Sequence, residues 1–339
     1  MSIVITIQNM ISQLRWQSLA KGILTLVPVV DRLANSTAGS AVGARYFYSV
    51  WLRHLCSVAE VRPDLQFEVV AELGPGDALG LGICALLSGA SRYIGLDRVA
   101  FGIHADNLAM LDELHSLFQA RSPIPGDDEF PGVFPKIKDY SFPSHLLTDD
   151  RLGASLAPER ISLIRQALLS DMRFTDDALL SYAAPWDAIE QVKPGTVDLL
   201  VSQAVMEHVD DVDSAYAAMR RWIKREGVMS HQIDYTCHGI TRDWYGHWTV
   251  PPALWRVVRG RRAYLINRLP HSSHLAALKR NGFELLACAS TVSEMLAPAG
   301  SMRIAYEPTD LSTKGAFIVA RPVFSNEVVS PFTVARLDN

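Results

Sequence analysis

From residue 67 onward, short runs of apolar and β-branched residues alternate with longer stretches whose apolar positions recur three and four apart. The first pattern predicts strands over residues 67–72, 92–96, 178–182, 197–202, 227–233, 283–289 and 316–321. The second predicts helices over 79–88, 105–119, 158–169, 214–225 and 273–281. Such a succession implies a sheet with helices on both faces. The predicted fold class is therefore α/β, a doubly wound, seven-stranded, mostly parallel sheet.

Residues 1–66 read as an N-terminal helical cap, with apolar spacing around Leu14, Leu19 and Ile23, a turn at 35–40 and an aromatic-rich segment from Tyr46. The core spans 67–323, and 324–339 form a C-terminal tail. Two stretches are too long for simple connections. Residues 121–150 carry Pro123, Pro125, Pro131, Pro135 and Pro143, while 237–270 carry Trp244, Trp248 and Trp255 amid Arg242, Arg256, Arg259, Arg261 and Arg262. Long ordered loops in compact domains are commonly lids or binding segments, so both insertions are expected to cover a substrate.

Composition narrows the class. A chain of 339 residues that is 49% hydrophobic can bury a large core. A net charge of -4 gives no pull towards nucleic acid, which is not an expected partner. Cys56, Cys84, Cys237 and Cys288 are scattered, as reduced thiols are in a cytoplasmic enzyme, and form neither a disulfide framework nor a zinc cluster pattern. The first residues lack a basic leader, and no apolar run reaches the ~20 residues of a membrane span. The expectation is a cytoplasmic chain with no membrane span; its oligomeric state stays open.

The strongest local signal is Val69-Val-Ala-Glu-Leu-Gly-Pro-Gly-Asp-Ala-Leu-Gly. A strand ends on Glu72 and turns through Gly74, Pro75 and Gly76 into a helix. Gly74 permits the sharp turn, and Gly76 lets a ligand approach the main chain. Asp97, at the end of the second strand, suits a carboxylate that accepts hydrogen bonds from ribose hydroxyls. A dinucleotide fingerprint needs a third glycine where this chain has Leu79, which disfavours a nicotinamide-dependent oxidoreductase. The segment instead resembles motif I of the class I S-adenosylmethionine-dependent methyltransferases, E/D-x-G-x-G, on Glu72, Gly74 and Gly76. Ala78 departs from the third glycine common in that family.

A second stretch, Val197-Asp-Leu-Leu-Val-Ser-Gln-Ala-Val-Met-Glu-His-Val, is similar to the fourth-strand motif of the same superfamily. Asp198 opens the strand, Ser202 and Gln203 end it, and Glu207-His208 begin the next turn. Between the motifs, Ser181-Tyr-Ala-Ala-Pro-Trp occupies the position that flanks adenine in the family. Gly43-Ala-Arg-Tyr and His231-Gln-Ile-Asp also resemble an uncharacterised bacterial subgroup. The resemblance implies S-adenosylmethionine as cofactor, contacted by Glu72, Gly74, Pro75, Gly76, Asp97, Ala183, Ser202 and Gln203.

It further implies methyl transfer by in-line displacement, with O-methylation of a small molecule or saccharide as the expected reaction. An oxygen acceptor of high pKa needs a base, most often histidine. His208, His231 and His238 lie near the carboxyl ends of the strands, with Asp234 placed to orient one of them. No metal is expected, although His231, Asp234 and His238 are ligand types. Tyr46, Arg242, Trp244 and Trp248 are the expected acceptor contacts. N-methylation, which needs less base assistance, and a non-catalytic binding or scaffold protein of the same fold remain alternatives.

Overall fold

The computed structural model describes residues 14–25, 43–102, 106–175, 178–186, 192–262, 264–300, 302, 305–324 and 335–336. The turn expected at 35–40 and almost all of the expected tail lie outside the described residues.

The strands are β1 (Val69–Leu73), β2 (Arg92–Leu96), β3 (Leu180–Ala183), β4 (Val197–Gln203), β5 (Ile223–Asp234), β6 (Phe283–Val292), β7 (Thr313–Pro322) and β8 (Ala335–Arg336). They form one sheet in the order β3-β2-β1-β4-β5-β7-β6-β8. β1 to β5 are parallel, and β7 runs antiparallel to both β5 and β6. The seven expected strands are present. An eighth, two residues long, pairs with β6 at the edge and corrects the count.

The helices are α1 (Trp16–Leu24), α2 (Ala44–Val61), α3 (Gly80–Leu87), α4 (Asn107–Gln119), α5 (Asp149–Ser155), α6 (Pro158–Leu169), α7 (Val212–Trp222), α8 (Gly246–Thr249), α9 (Pro252–Arg259) and α10 (His271–Arg280). Local chemistry fixes several boundaries. The Asp106 side chain accepts from the Ala109 N–H to start α4, and Asp211 accepts from Ser214 N–H to start α7. Arg62, ahead of Pro63, ends α2.

Strand periodicity sorts side chains into two cores. Val70, Tyr93, Leu199, Val201, Val228 and Phe317 join α2 to α6 on one face. Ala71, Leu96, Leu200, Met229, Ile233 and Ile318 join α7 and α10 on the other. The residues expected to form a separate cap are thus in part a core layer, since Tyr48, Trp51 and Leu52 of α2 are fully buried against α3 and the sheet. α2 is the backing of one sheet face.

Both insertions pack into the body of the fold, and the second also brings Tyr264 to a cavity. Residues 121–150 wrap α2: buried Arg53 donates to the carbonyls of Pro125, Val133 and Pro135, while Tyr48 and Ser49 donate to Ser122 and Pro125. Exposed Arg45 forms a bidentate pair with Glu129 of this segment. Within 237–270, Trp255, Val250, Val258 and Ile266 build a small third core, against which Leu14 and Leu19 pack. Trp248 is buried, with its Nε1–H donating to the Arg268 carbonyl.

Candidate active site

β1 and β2 end side by side, and the turn after β1 places Gly74 and Gly76 in the left-handed region, at φ 74° and 70°. A Cβ on Gly74 would lie 2.5 Å from a Val205 methyl, so side-chain-free backbone is required there for two reasons. Gly76 N–H donates to Asp97 Oδ2 at 2.9 Å, and Arg98 N–H donates to Oδ1 at 2.6 Å. Burial raises the Asp97 pKa, opposed by the N–H groups of Gly76, Arg98 and Val99. Glu72 is fully buried and accepts from Tyr93 Oη at 2.6 Å, yet burial pushes it up to about 8. Asp198 opens β4 by accepting from Val69 N–H and pairing with Lys224, which ties β1 to β4.

These elements enclose a cavity of about 700 Å³. It is lined by Glu72, Gly74, Pro75, Gly76, Asp97, Arg98 and Phe101 from β1, β2 and the turns after them, and by Gln203, Val205, His208, Asp210 and Asp211 from β4 and the turn after it. Tyr46, Phe47 and Val50 of α2 border it, with Trp186 and Tyr264. The turn Met206–His208 carries Glu207, whose buried carboxyl is pushed up to about 8 by burial, opposed by His238 and reinforced by Asp234. Burial, then His238, lowers His208 to about 4, leaving it neutral at pH 7. His238 Nε2 lies 3.3 Å from Asp234 Oδ2 and 3.9 Å from Glu207 Oε1. Burial disfavours its charge, but the Asp234 bond and both carboxylates outweigh that and raise its pKa. The rings of His208 and His238 meet edge to face at 5.0 Å.

Of the expected cofactor contacts, Glu72, Gly74, Pro75, Gly76, Asp97 and Gln203 line this cavity. Ala183 and Ser202 do not. Ala183 spends its carbonyl on Asp97 N–H, and Ser202 Oγ is buried 2.7 Å from His231 Nδ1, because strand alternation turns it to the α7 face. His231 is likewise fully buried there and pushed down to about 3, away from the cavity wall. Tyr46 lines the cavity, but Arg242, Trp244 and Trp248 do not. Trp248 anchors the second core, and Trp244 Nε1–H donates to the Met295 carbonyl. His238 and Asp234 stand behind His208.

Sequence reasoning passed over four positions. Trp186 sat within the quoted adenine-flanking segment; Tyr264, Asn267 and His54 carried no local motif. Asn267 Nδ2 donates to the carbonyls of Met206 and Val209, both at 2.9 Å, and its N–H donates to the Glu207 carbonyl at 2.6 Å. The second insertion therefore clamps the turn that presents Glu207 and His208.

Residues 162–230, from α6 through β3, β4 and α7 into β5, match the family model described as a methyltransferase domain. Among solved structures, the chain is similar to an S-adenosylmethionine-dependent methyltransferase from Mesorhizobium loti at 14% identity and a TM-score of 0.40, over 79% of this chain and 97% of that one. It is similar to another from Clostridium acetobutylicum at 10% identity and a TM-score of 0.39, over 87% and 97% of the two chains. A geranyl diphosphate methyltransferase in complex with its cofactor is similar at 10% identity and a TM-score of 0.42, over 83% and 85%. No curated protein matches this chain.

The match to a methyltransferase domain covers residues 162–230, while the glycine turn and Asp97 lie outside it; together they frame a cavity against which S-adenosylmethionine can be tested. The residues present fit that cofactor. The Gly74–Gly76 turn offers bare backbone, and Asp97 keeps lone pairs beyond those its two N–H donors occupy.

Proposed function

We propose that this chain is an S-adenosylmethionine-dependent methyltransferase of class I that methylates a hydroxyl group of a small molecule or saccharide. The bound cofactor would supply a methyl group on a positively charged sulfur, and this chain aligns the acceptor with it. The glycine turn, Asp97 and Glu72 would hold the cofactor at one end of the cavity. Tyr46, Tyr264 and His208 then border the space left for the acceptor. Positioning in such a pocket can lower a displacement barrier by several kcal/mol.

The observation that carries the reading is His208. Of the three candidate histidines it is the one on the cavity wall, and burial keeps its imidazole neutral and able to accept a proton. Glu207, Asp234 and His238 stand behind it, so the acceptor end of the cavity is the end equipped for proton removal.

The test is transfer of a labelled methyl group to panels of hydroxylated compounds and of amines. Label on hydroxyl acceptors, falling roughly 10²–10⁴-fold in His208→Ala with S-adenosylhomocysteine affinity retained, supports the proposal. Label confined to amine nitrogens would overturn it in favour of N-methylation.

A further inference from the structure

Glu207, His208 and His238 each present one ligand atom, and these atoms lie within 4.8 Å of one another. Asp234 adds an oxygen 3.3 Å from His238 Nε2. Glu207 is only 3% exposed, and neither of its carboxylate oxygens has a hydrogen-bond partner of normal geometry; the backbone N–H groups of Glu207 and Asp234 are near enough only to ease its charge. His208 Nδ1 is also buried without a partner. Each such orphan costs on the order of 1–3 kcal/mol, and more for a charged group. A proton on Glu207 removes its charge but leaves the second oxygen and the imidazole nitrogen unsatisfied. A cation would engage a Glu207 oxygen and a His208 nitrogen together.

We propose that this cluster binds a divalent transition-metal cation of the Mn²⁺, Fe²⁺ or Zn²⁺ kind, ligated by Glu207, His208, His238 and Asp234. Ligand atoms that share an ion through bonds of about 2.1 Å sit roughly 3.0–3.4 Å apart. The His238–Asp234 pair has that spacing, and the 3.9 Å His238–Glu207 pair must close by about half an ångström. Two imidazoles with carboxylates select a borderline metal over Mg²⁺ or Ca²⁺, which take oxygen ligands. His238 occupies the left-handed region at φ 47°, unusual for a residue with a side chain, and this turns its imidazole back towards both carboxylates.

The inference rests on the reading above that the acceptor lies against His208, and it changes how that end of the cavity works. Four protein ligands leave two positions on a six-coordinate ion. An acceptor with two adjacent oxygens, a vicinal diol or an α-hydroxy acid, would reach them where the cluster meets the cavity, at His208. The cluster would then favour loss of the hydroxyl proton through the cation's charge, with His208 a ligand in place of a proton acceptor.

The experiment is titration of chelator-stripped, full-length protein with Mn²⁺, Zn²⁺, Co²⁺ and Mg²⁺ by calorimetry, with visible spectra recorded for Co²⁺. One ion per chain for the transition metals, weak or no Mg²⁺ binding, and ligand-field bands for Co²⁺ are expected. Glu207→Gln and His238→Asn should each weaken binding by more than the roughly 10–100-fold that loss of an outer partner causes. Should either variant misfold, His238→Cys provides a second readout, a sulfur-to-Co²⁺ charge-transfer band. No transition-metal uptake, or uptake indifferent to Glu207 and His238, overturns the proposal. A parallel titration with S-adenosylhomocysteine, and the methyl-transfer panel run in chelator, separate a missing cation from a failure of the methyltransferase reading itself.

Discussion

His54 on α2 donates through Nε2 to Gln203 Oε1 at 3.0 Å, and its Nδ1 lies 2.7 Å from Ser230 Oγ. One fully buried imidazole thus connects a helix that precedes the sheet to β5 and to a residue on the cavity wall. Replacing it with phenylalanine keeps the ring but removes both of these bonds, leaving Gln203 only its donation to the Phe134 carbonyl. Unfolding in denaturant should show a loss of about 1–3 kcal/mol, with weaker S-adenosylhomocysteine binding. Unchanged stability would show that the bridge contributes nothing.

Gly76 should be intolerant of side chains for a different reason. At φ 70° a β-branched residue is strained by about 1–2 kcal/mol, which a domain of this size survives. The new side chain would nonetheless occupy the space where a ligand must meet the main chain. Gly76→Val is expected to fold while losing S-adenosylhomocysteine affinity by about 100-fold or more, the equivalent of roughly 2.7 kcal/mol. Tight binding by a folded Gly76→Val would refute the assignment of this turn.

Acid sensitivity follows from buried imidazoles. Burial lowers His54 to about 4, and His231, His247 and His274 to about 3, from the ordinary 6.5. Below pH 6.5 the unfolded chain takes up protons that the native state refuses. Their contribution is complete above 6.5 and is lost as pH falls through the native values. Glu72 acts in the opposite sense: raised from 4.5 to about 8, it holds a proton in the native state that the unfolded chain releases, so its effect improves as pH drops from 8 to 4.5. His208, lowered to about 4, joins these imidazoles, and Glu207, raised to about 8, joins Glu72, so five imidazoles oppose two glutamates. The urea midpoint should fall between pH 6.5 and 4, and a midpoint that rises over that interval would contradict the neutral, buried state of these side chains.

Loss of the Asn267 amide should separate catalysis from cofactor binding. Asn267→Ala deprives the Met206 and Val209 carbonyls of their donor and loosens the turn bearing Glu207 and His208. Misplacement of reactive groups by an ångström can cost about 100-fold in rate. A fall in kcat of ten- to a hundred-fold with S-adenosylhomocysteine affinity nearly unchanged is expected. Loss of both together would instead mean that the whole cavity has collapsed.

The glycine turn and the carboxylates beside it were readable from sequence because they are local. Glu72, Gly74 and Gly76 are contiguous, Asp97 ends the next strand, and strand periodicity placed each at a carboxyl end. The seven main strands were readable for the same reason, since each announces itself by its own apolar run. The surroundings of His208 are assembled across long separations. His208 meets His238 through the sheet order, Asn267 reaches back to Met206, and Tyr264 enters from a loop without periodicity. Ser202 and Gln203 show the limit at its sharpest. They are neighbours in one motif, yet alternation along β4 sends Gln203 to the cavity and Ser202 to His231. The tryptophans of the second insertion misled because size and aromaticity suit a buried anchor as well as a sugar platform, and burial decided for the anchor in Trp248.

The Asn267 clamp has a bearing on how such an enzyme can diversify. The loop that supplies Tyr264 to the cavity wall also supports, three residues later, the turn that bears His208. A recombinant exchange of the segment 237–270 for that of another methyltransferase would therefore alter acceptor choice and disturb the reactive turn in a single step. Exchanges that keep an amide donor at position 267, or that bring a replacement for it, are expected to leave that turn in place.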